Sequence, residues 1–492
     1  MSDTRVRLST NSTPSVKVAE PLLLPVERLE QVTAWGGATE SVSYVYRPTT
    51  PEALHEVFQL AQRSGRTVGL RGGGNSYGDA AMNSENVVVD LRRMNRILEW
   101  NPDSGLIRVE PGVTLSDLWQ YILEDGWWPP VATGTSFTTM GGSAAMNVHG
   151  KNAWQIGPIG DHILEFDLML PSGEIILCNR QENRDVFHAA IGGFGMLGVF
   201  TSLTMQMKRV YSGLLEVETD IGSNLDEMLA FFYENTGRSD YIVGWIDSLA
   251  SGAAVGRGDV HRANYLAPGI DPNPAQSLRL ENQHMGPNLF GVLPRSIMWL
   301  FMRPMMRNTG MRVINQGKYL AGRFGGQKRY RQPHAQFHFL LDYIPDWKRA
   351  YQPGGLIQYQ PFIPKETAAD AFREILTLCQ RRGMPNYLTV LKRHRPDDFL
   401  MSYAVDGFSL AMDFRVTEEN RRRIVWLSRE MDDIVLAAGG RFYFAKDSTL
   451  RPEVVKTYLG EETITCFHEL KQRCDPENLL QTDLWRRIFI AG

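Results

Sequence analysis

Cysteine is scarce in this chain. Its 492 residues include four, Cys178, Cys379, Cys466 and Cys474, spread too widely for a disulfide framework or a zinc cluster, and no metal site is expected. A basic excess is missing as well: the formal net charge is −3, which argues against a protein built to coat nucleic acid. No run of 18 apolar residues occurs, so no segment reads as a membrane-spanning helix. The stretch up to about Ala19 is rich in Ser, Thr and charge and has no apolar core, so residues 1–20 read as a disordered leader and the cytoplasm as the default address. Internal repeats and low-complexity tracts are also lacking. What remains is ordinary globular composition, 43% hydrophobic and 22% charged, over a length that suits about two to four domains.

Regular structure begins near Val42. Residues 42–46 alternate as a strand does. Pro48 to Glu52 supply a helix cap and first turn, and Leu54, Val57, Phe58 and Ala61 follow at helical spacing until Ser64-Gly65 stops the pattern. Strands are predicted over 67–70, 87–91, 106–110, 161–170, 174–178 and 199–205, and helices over 114–124 and 185–191. This interleaving favours an α/β or α+β domain. From about Tyr211 the chain carries more aromatics and longer loops. Within it, 358–363 and 409–416 read as strands, 365–382 and 418–438 as helices. The expected division is a first domain over 21–210, a second over 211–450 and a C-terminal segment, 451–492, that returns to the first.

One segment stands apart by charge. Between Glu281 and Asp342 there is no acidic residue, while Arg295, Arg303, Arg307, Arg312, Lys318, Arg323, Lys328, Arg329 and Arg331 all fall there beside the apolar runs 289–294 and 297–302. Basic residues next to exposed aromatics and methionines suit an anionic lipid surface or an amphiphilic substrate. The alternative is a loop-rich lid, about 262–335, whose apolar residues pack on the domain.

Three loops of small residues call for a mechanism. Residues 193–198 (Gly-Phe-Gly-Met-Leu-Gly) match GxGxxG, yet the order is helix, loop, strand, the reverse of a dinucleotide fold in which a helix N-terminus meets the pyrophosphate. The loop 71–79 (Arg-Gly-Gly-Gly-Asn-Ser-Tyr-Gly-Asp) follows a strand but lacks the Lys-Ser/Thr of a P-loop. The third, 134–142, is rich in hydroxyls and leads to His149-Gly150-Lys151-Asn152. Successive glycines let backbone N–H groups approach an anion, so three such loops suggest one extended phosphate-bearing ligand.

Together these residues resemble the FAD-dependent oxidases of the vanillyl-alcohol-oxidase type, with a PCMH-type flavin domain. The resemblance rests on 71–79, 134–142, His-Gly-Lys-Asn at 149–152 and 192–198. In the C-terminal half it continues through 342–351, 356–360, Lys392, Met412-Asp413-Phe414 and the run 443–448 (Tyr-Phe-Ala-Lys-Asp-Ser). It spans about Trp35 to Ile490 and is weakest over 262–335. It implies an α+β fold, with a two-subdomain FAD-binding domain and a substrate domain on an antiparallel sheet with flanking helices. It implies that Arg71, Gly72, Gly73, Gly74, Asn75, Ser76, Tyr77, Gly134, Thr138, Gly141 and Gly142 hold FAD, with His149, Lys151 and Asn152 near the flavin, Val199 toward the adenine and Tyr443 approaching from the other domain. Flavinylated members carry a histidine where Asn75 stands, so FAD is expected to be non-covalent.

The same resemblance implies hydride transfer from a secondary alcohol to flavin N5, with Lys446, His149, Gln360 and Lys392 as catalytic candidates and Trp245, His338, Trp347 and Ala411 on the substrate side. Ala411 and His338 depart from the family's pattern, which bears on the identity of the substrate rather than on the type of reaction. The expected substrate is a lipid-linked pentose oxidised at its 2′-hydroxyl, as the oxidative half of an epimerisation that an NAD(P)H-dependent reductase partner would complete. The alternatives are an aldonolactone or alditol oxidase, a flavin-dependent C=C reductase, or a flavin-bearing membrane-surface protein without turnover. Read without the resemblance, Lys446 is a surface cation beside Asp447 and Gln360 belongs to the polar face of a strand.

Overall fold

The computed structural model describes residues 22–289, 293–325 and 328–490. The expected leader lies outside them, as do Phe290, Gly291 and Val292 of the first apolar run. Three principal sheets organise the chain, and helices and strands mix as an α+β fold requires. The first sheet runs in the order Leu29–Thr33, Glu40–Tyr46, Val87–Asp90, Val68–Arg71, its first pair antiparallel and the other two parallel. The second is antiparallel: Ile97–Asn101, Leu106–Val109, Val199–Gln206, Ile163–Met169, Ile175–Asn179. The third has nine antiparallel strands, with Leu388–His394 and Gly407–Arg415 near its centre.

Local chemistry fixes the first elements. The helix Pro51–Arg63 starts where Thr50 accepts from the Ala53 N–H and proline occupies a first-turn position, a place where its missing N–H costs nothing. Leu54, Val57, Phe58 and Ala61 form the buried face at the predicted spacing. A Thr114/Asp117 capping box starts Leu115–Ile122. The loop 193–198 sits between the helix Arg184–Ala190 and the strand Val199–Gln206, the reverse order that its flanks indicate.

Two expectations are corrected. The strand predicted over 358–363 is broken: Leu356–Tyr359 and Pro361–Pro364 both pair with Gly407–Arg415 in one register, but Pro361 has no N–H for the ladder, and Gln360 falls in the gap. The segment expected as a loop-rich lid carries a 17-residue helix, Asn308–Phe324, and the strand Arg329–Pro333. Arg307 provides no side-chain cap there and Gly310 and Gly317 interrupt the pattern, so the helix leaves a faint trace in the sequence. Its buried residues, Met311, Asn315 and Tyr319, are spaced four apart.

The chain's halves are stitched together at several points. Tyr77 N–H donates to the Ala445 carbonyl at 2.9 Å, and a Cβ on Gly78 would lie 1.8 Å from the Asp447 carbonyl oxygen. The C-terminal segment runs beside Val68, whose N–H donates to Leu479 and whose carbonyl accepts from Gln481. That segment is held by Asp475, which accepts from the Leu479 and Leu480 N–H groups at 2.8 Å and pairs with the buried Lys471. Removing one partner of a buried ion pair costs about 3–5 kcal/mol. Asp475→Ala is therefore expected to destabilise the protein by about that amount in urea unfolding followed by tryptophan fluorescence, and a loss under about 1 kcal/mol would contradict this role.

Candidate active site

The glycine loop that follows the strand Val68–Arg71 is packed too closely for side chains. A Cβ on Gly72 would meet Thr139 Oγ1 at 2.2 Å, one on Gly73 the Phe137 carbonyl at 2.5 Å, and one on Gly141 the Pro111 Cβ at 2.6 Å. Gly74 has φ +65° and lies against the Arg71 guanidinium. Thr139 Oγ1 accepts from Gly73 N–H at 3.3 Å and from Gly142 N–H at 3.4 Å, joining the loops 71–79 and 134–142. Asn75 Nδ2 donates to the Phe137 carbonyl at 2.9 Å. Arg71 donates to the Thr33 carbonyl at 2.9 Å, and burial pushes its pKa down. Residues 135–136 are tied across the molecule by Asp342, which accepts from Thr135 Oγ1 at 2.7 Å and from Ser136 N–H and Oγ at 2.8 Å.

These loops and the nine-stranded sheet enclose a cavity of about 400 Å³. Of the residues assigned to cofactor, Arg71, Gly72, Gly73, Gly74, Asn75, Ser76, Tyr77, Gly134, Thr138, Gly141, Gly142, His149, Lys151, Val199 and Tyr443 line it. So do Lys446, Gln360, Lys392, Trp245, His338 and Ala411. Two assigned residues sit elsewhere. Asn152 is turned away and donates to the Pro130 carbonyl at 3.0 Å. Trp347 packs with Tyr351 in a cluster behind Tyr77.

The electrostatics of the cavity are set by buried cations. Burial pushes Lys392 down to about 8, and among the described residues it makes no ion pair. Lys446 is also pushed down by burial, with Asp413 opposing the shift and Lys392 adding to it. Its ammonium lies 4.0 Å from the centroid of the Tyr77 ring. The neighbouring Asp447 is not its partner: that carboxylate pairs with Arg487 at 2.8 Å and accepts from the Thr449 and Leu450 N–H groups. Lys446 is thus no surface cation. Asp413 is raised by burial and accepts from Gln358 Nε2 at 2.5 Å. Lys151, also depressed by burial, donates to the Phe337 carbonyl.

A chain of hydrogen bonds orients the polar side chains. Gln360 Nε2 lies 3.1 Å from His149 Nε2 and 3.2 Å from Ser409 Oγ, which is 2.8 Å from His394 Nε2. So placed, the Gln360 amide donates to both neighbours, and Ser409 donates onward to His394. His149 Nε2 is then an acceptor and its proton resides on Nδ1. Burial first, then Lys392, His394 and Lys446, hold His149 well below the usual histidine range, so it is a neutral N–H donor. That Nδ1 has no partner among the described residues.

Sequence reasoning missed several of these groups. Ser409 opens a predicted strand on which it gave no signal, and no element was predicted around His394, which ends the strand Leu388–His394. Asp259 and His261 also line the cavity; their two-residue spacing on the strand Gly258–Tyr265 was the available signal. Lys318 reaches the same wall from the helix Asn308–Phe324, 3.2 Å from Asp259 and 3.7 Å from the Trp245 ring centroid.

Residues 42–179 match the family model of an FAD binding domain. Over 93% of its length the chain is 28% identical to decaprenylphosphoryl-β-D-ribose oxidase of Mycolicibacterium smegmatis, covering 97% of that protein. It is 23% identical to L-gulonolactone oxidase of Mus musculus over 90% of this chain and 94% of the relative. The chain carries an FAD binding domain and is an FAD-dependent oxidoreductase. The site fits its cofactor: the glycine loops line the cavity with backbone, where N–H groups can meet a diphosphate, and Arg71 with the cavity's lysines favours an anionic dinucleotide. No cysteine lines the cavity, and Asn75 offers no nucleophile. Acid precipitation is therefore expected to release the yellow flavin into the supernatant, and colour retained in the pellet would show a covalent bond.

Proposed function

We propose that this oxidoreductase oxidises a secondary alcohol carbon of a sugar, the 2′-hydroxyl of a polyprenyl-phosphoryl pentose being the favoured substrate. The likeness to decaprenylphosphoryl-β-D-ribose oxidase along nearly both full lengths supports the substrate class. The observation that carries the chemistry is Lys392 in the cavity wall with no ion pair among the described residues, its amine pushed down to about 8 by burial, beside an oriented His149–Gln360 pair.

FAD, when bound, supplies the hydride acceptor. The alcohol must lose a hydride from carbon and a proton from oxygen. His149 cannot take that proton at Nε2, which already accepts from Gln360, and its Nδ1 is protonated; it donates to and orients an oxygen in the cavity. Lys392, as the free amine, accepts the hydroxyl proton and becomes an ammonium. Lys446, when protonated, has only the burial-raised Asp413 to answer its charge, so it stabilises negative charge developing in the cavity. Ala411 and His338 shape the substrate's side of the wall. His338 is neutral through burial, and its Nε2 has no partner among the described residues.

The proton assignment has a sign. Below about pH 8 Lys392 is mostly ammonium and cannot accept, so the rate of flavin reduction by substrate is expected to rise with pH through about 8 and then level. Lys392→Met should bind FAD, react at least about tenfold more slowly and lose that limb; an unchanged profile would move the base elsewhere. Substrate class is tested by anaerobic titration of the yellow protein with polyprenyl-phosphoryl pentoses, aldonolactones and polyols. Bleaching by the lipid-linked pentose at the lowest concentration is expected. Bleaching by lactones or polyols alone would transfer the activity to them.

A further inference from the structure

Residues 293–325 contain no acidic side chain, and the two helices there each have an inner and an outer face. On the inner side, Trp299 and Met302 of Met298–Met302 pack on the cluster of Met306, Met311, Trp347 and Tyr351. From Asn308–Phe324, Asn315 donates to Asp247 at 2.8 Å and Lys318 pairs with Asp259 at the cavity wall. The longer helix is therefore anchored, and its outer face is built by choice of residue.

That outer face is apolar. Val313 is 67% exposed and Phe324 78%, with Leu320 between them. The spacing of 7 and then 4 residues places all three on one side. On the shorter helix Leu300 and Phe301 are about half exposed. Arg312 and Arg323 precede Val313 and Phe324 by one position each and flank the same side, and Arg303 and Arg307 are exposed in the connection. A helix facing water carries a polar outer side. An apolar side rimmed by cations, on a segment that carries no carboxylate of its own, is complementary to the boundary between acyl chains and anionic headgroups.

We propose that the outer faces of Met298–Met302 and Asn308–Phe324 dock on an anionic lipid surface. The apolar side chains enter at headgroup depth and the arginines engage lipid phosphates, whose oxygens suit a planar fork of donors. Because Lys318 on the same helix lines the cavity, docking sets one cavity wall against the membrane. The inference does not depend on the substrate: a protein that docks without oxidising lipid-linked sugars retains it, and one that oxidises them without docking loses it.

The test uses holoenzyme without substrate, sedimented with vesicles of phosphatidylcholine alone or of phosphatidylcholine with phosphatidylglycerol. Binding only to the phosphatidylglycerol vesicles is expected, with release by salt. Val313→Ser with Leu320→Ser and Phe324→Ser should weaken it by about tenfold or more. Arg312→Gln with Arg323→Gln should weaken it by about 25-fold, about fivefold per cation. Both variants should keep their flavin and its reduction by substrate, which shows that they fold. Binding to neither vesicle, equal binding to both, or unaltered binding by both variants would overturn the proposal; the first of these would leave the face to an acidic protein partner.

Discussion

Three lysines, Lys151, Lys392 and Lys446, line one cavity without an ion pair among the described residues, and they are the constraint around which this molecule is arranged. A buried ammonium is costly unless something answers its charge. The chain withholds the obvious answers. Asp447, next in sequence to Lys446, is committed to Arg487 and to two backbone N–H groups. Asp413 is raised toward its neutral form by burial, accepts from Gln358 through one oxygen, and so answers Lys446 only in part. The unanswered charge is then available to an anionic cofactor and to negative charge formed during reaction.

Holding that arrangement requires the parts of the chain to be fixed together, and the contacts that do so lie next to the cations. Tyr77, whose ring sits under Lys446, is tied through its N–H to Ala445, one residue before it. Gly78 is a glycine because the Asp447 carbonyl occupies the place of a Cβ. The hydroxyl loop at 135–136 is clamped by Asp342 from the far side of the acid-free segment. Cofactor loops, the strand of Lys392 and the turn of Lys446 are thus tied to one another, which suits a site that must hold two reactants in alignment.

Much of this was legible in the sequence because it depends on local rules. Thr50 with Pro51, the Thr114 cap and the four-residue apolar stripe of Pro51–Arg63 each act within one turn of helix. The glycine loops were legible for a related reason, since close backbone approach permits few other residues. What could not be read depends on contacts distant in sequence. Gln360 looked like one more polar strand residue until Pro361 broke the ladder and Ser409 and His149 claimed its amide. Asp447 looked like the partner of Lys446, and Arg487, some 40 positions away, took it. Trp347 belonged to a recognisable motif, yet it packs behind Tyr77. The helix Asn308–Phe324 was hidden because it has no cap and its inner stripe includes Asn315, whose role appears only once Asp247 is beside it.

The central claim is that an unanswered charge on Lys446 favours negative charge in the cavity. Its most direct measurement is the two-electron midpoint potential of the bound flavin in the native protein and in Lys446→Met, both with full flavin content. Loss of one such contact costs about a hundredfold or more in rate, and the same stabilisation kept in the reduced flavin is the same factor in equilibrium, about 30 mV per tenfold for two electrons. The potential in Lys446→Met is therefore predicted to fall by about 60 mV or more. An unchanged potential would contradict the account.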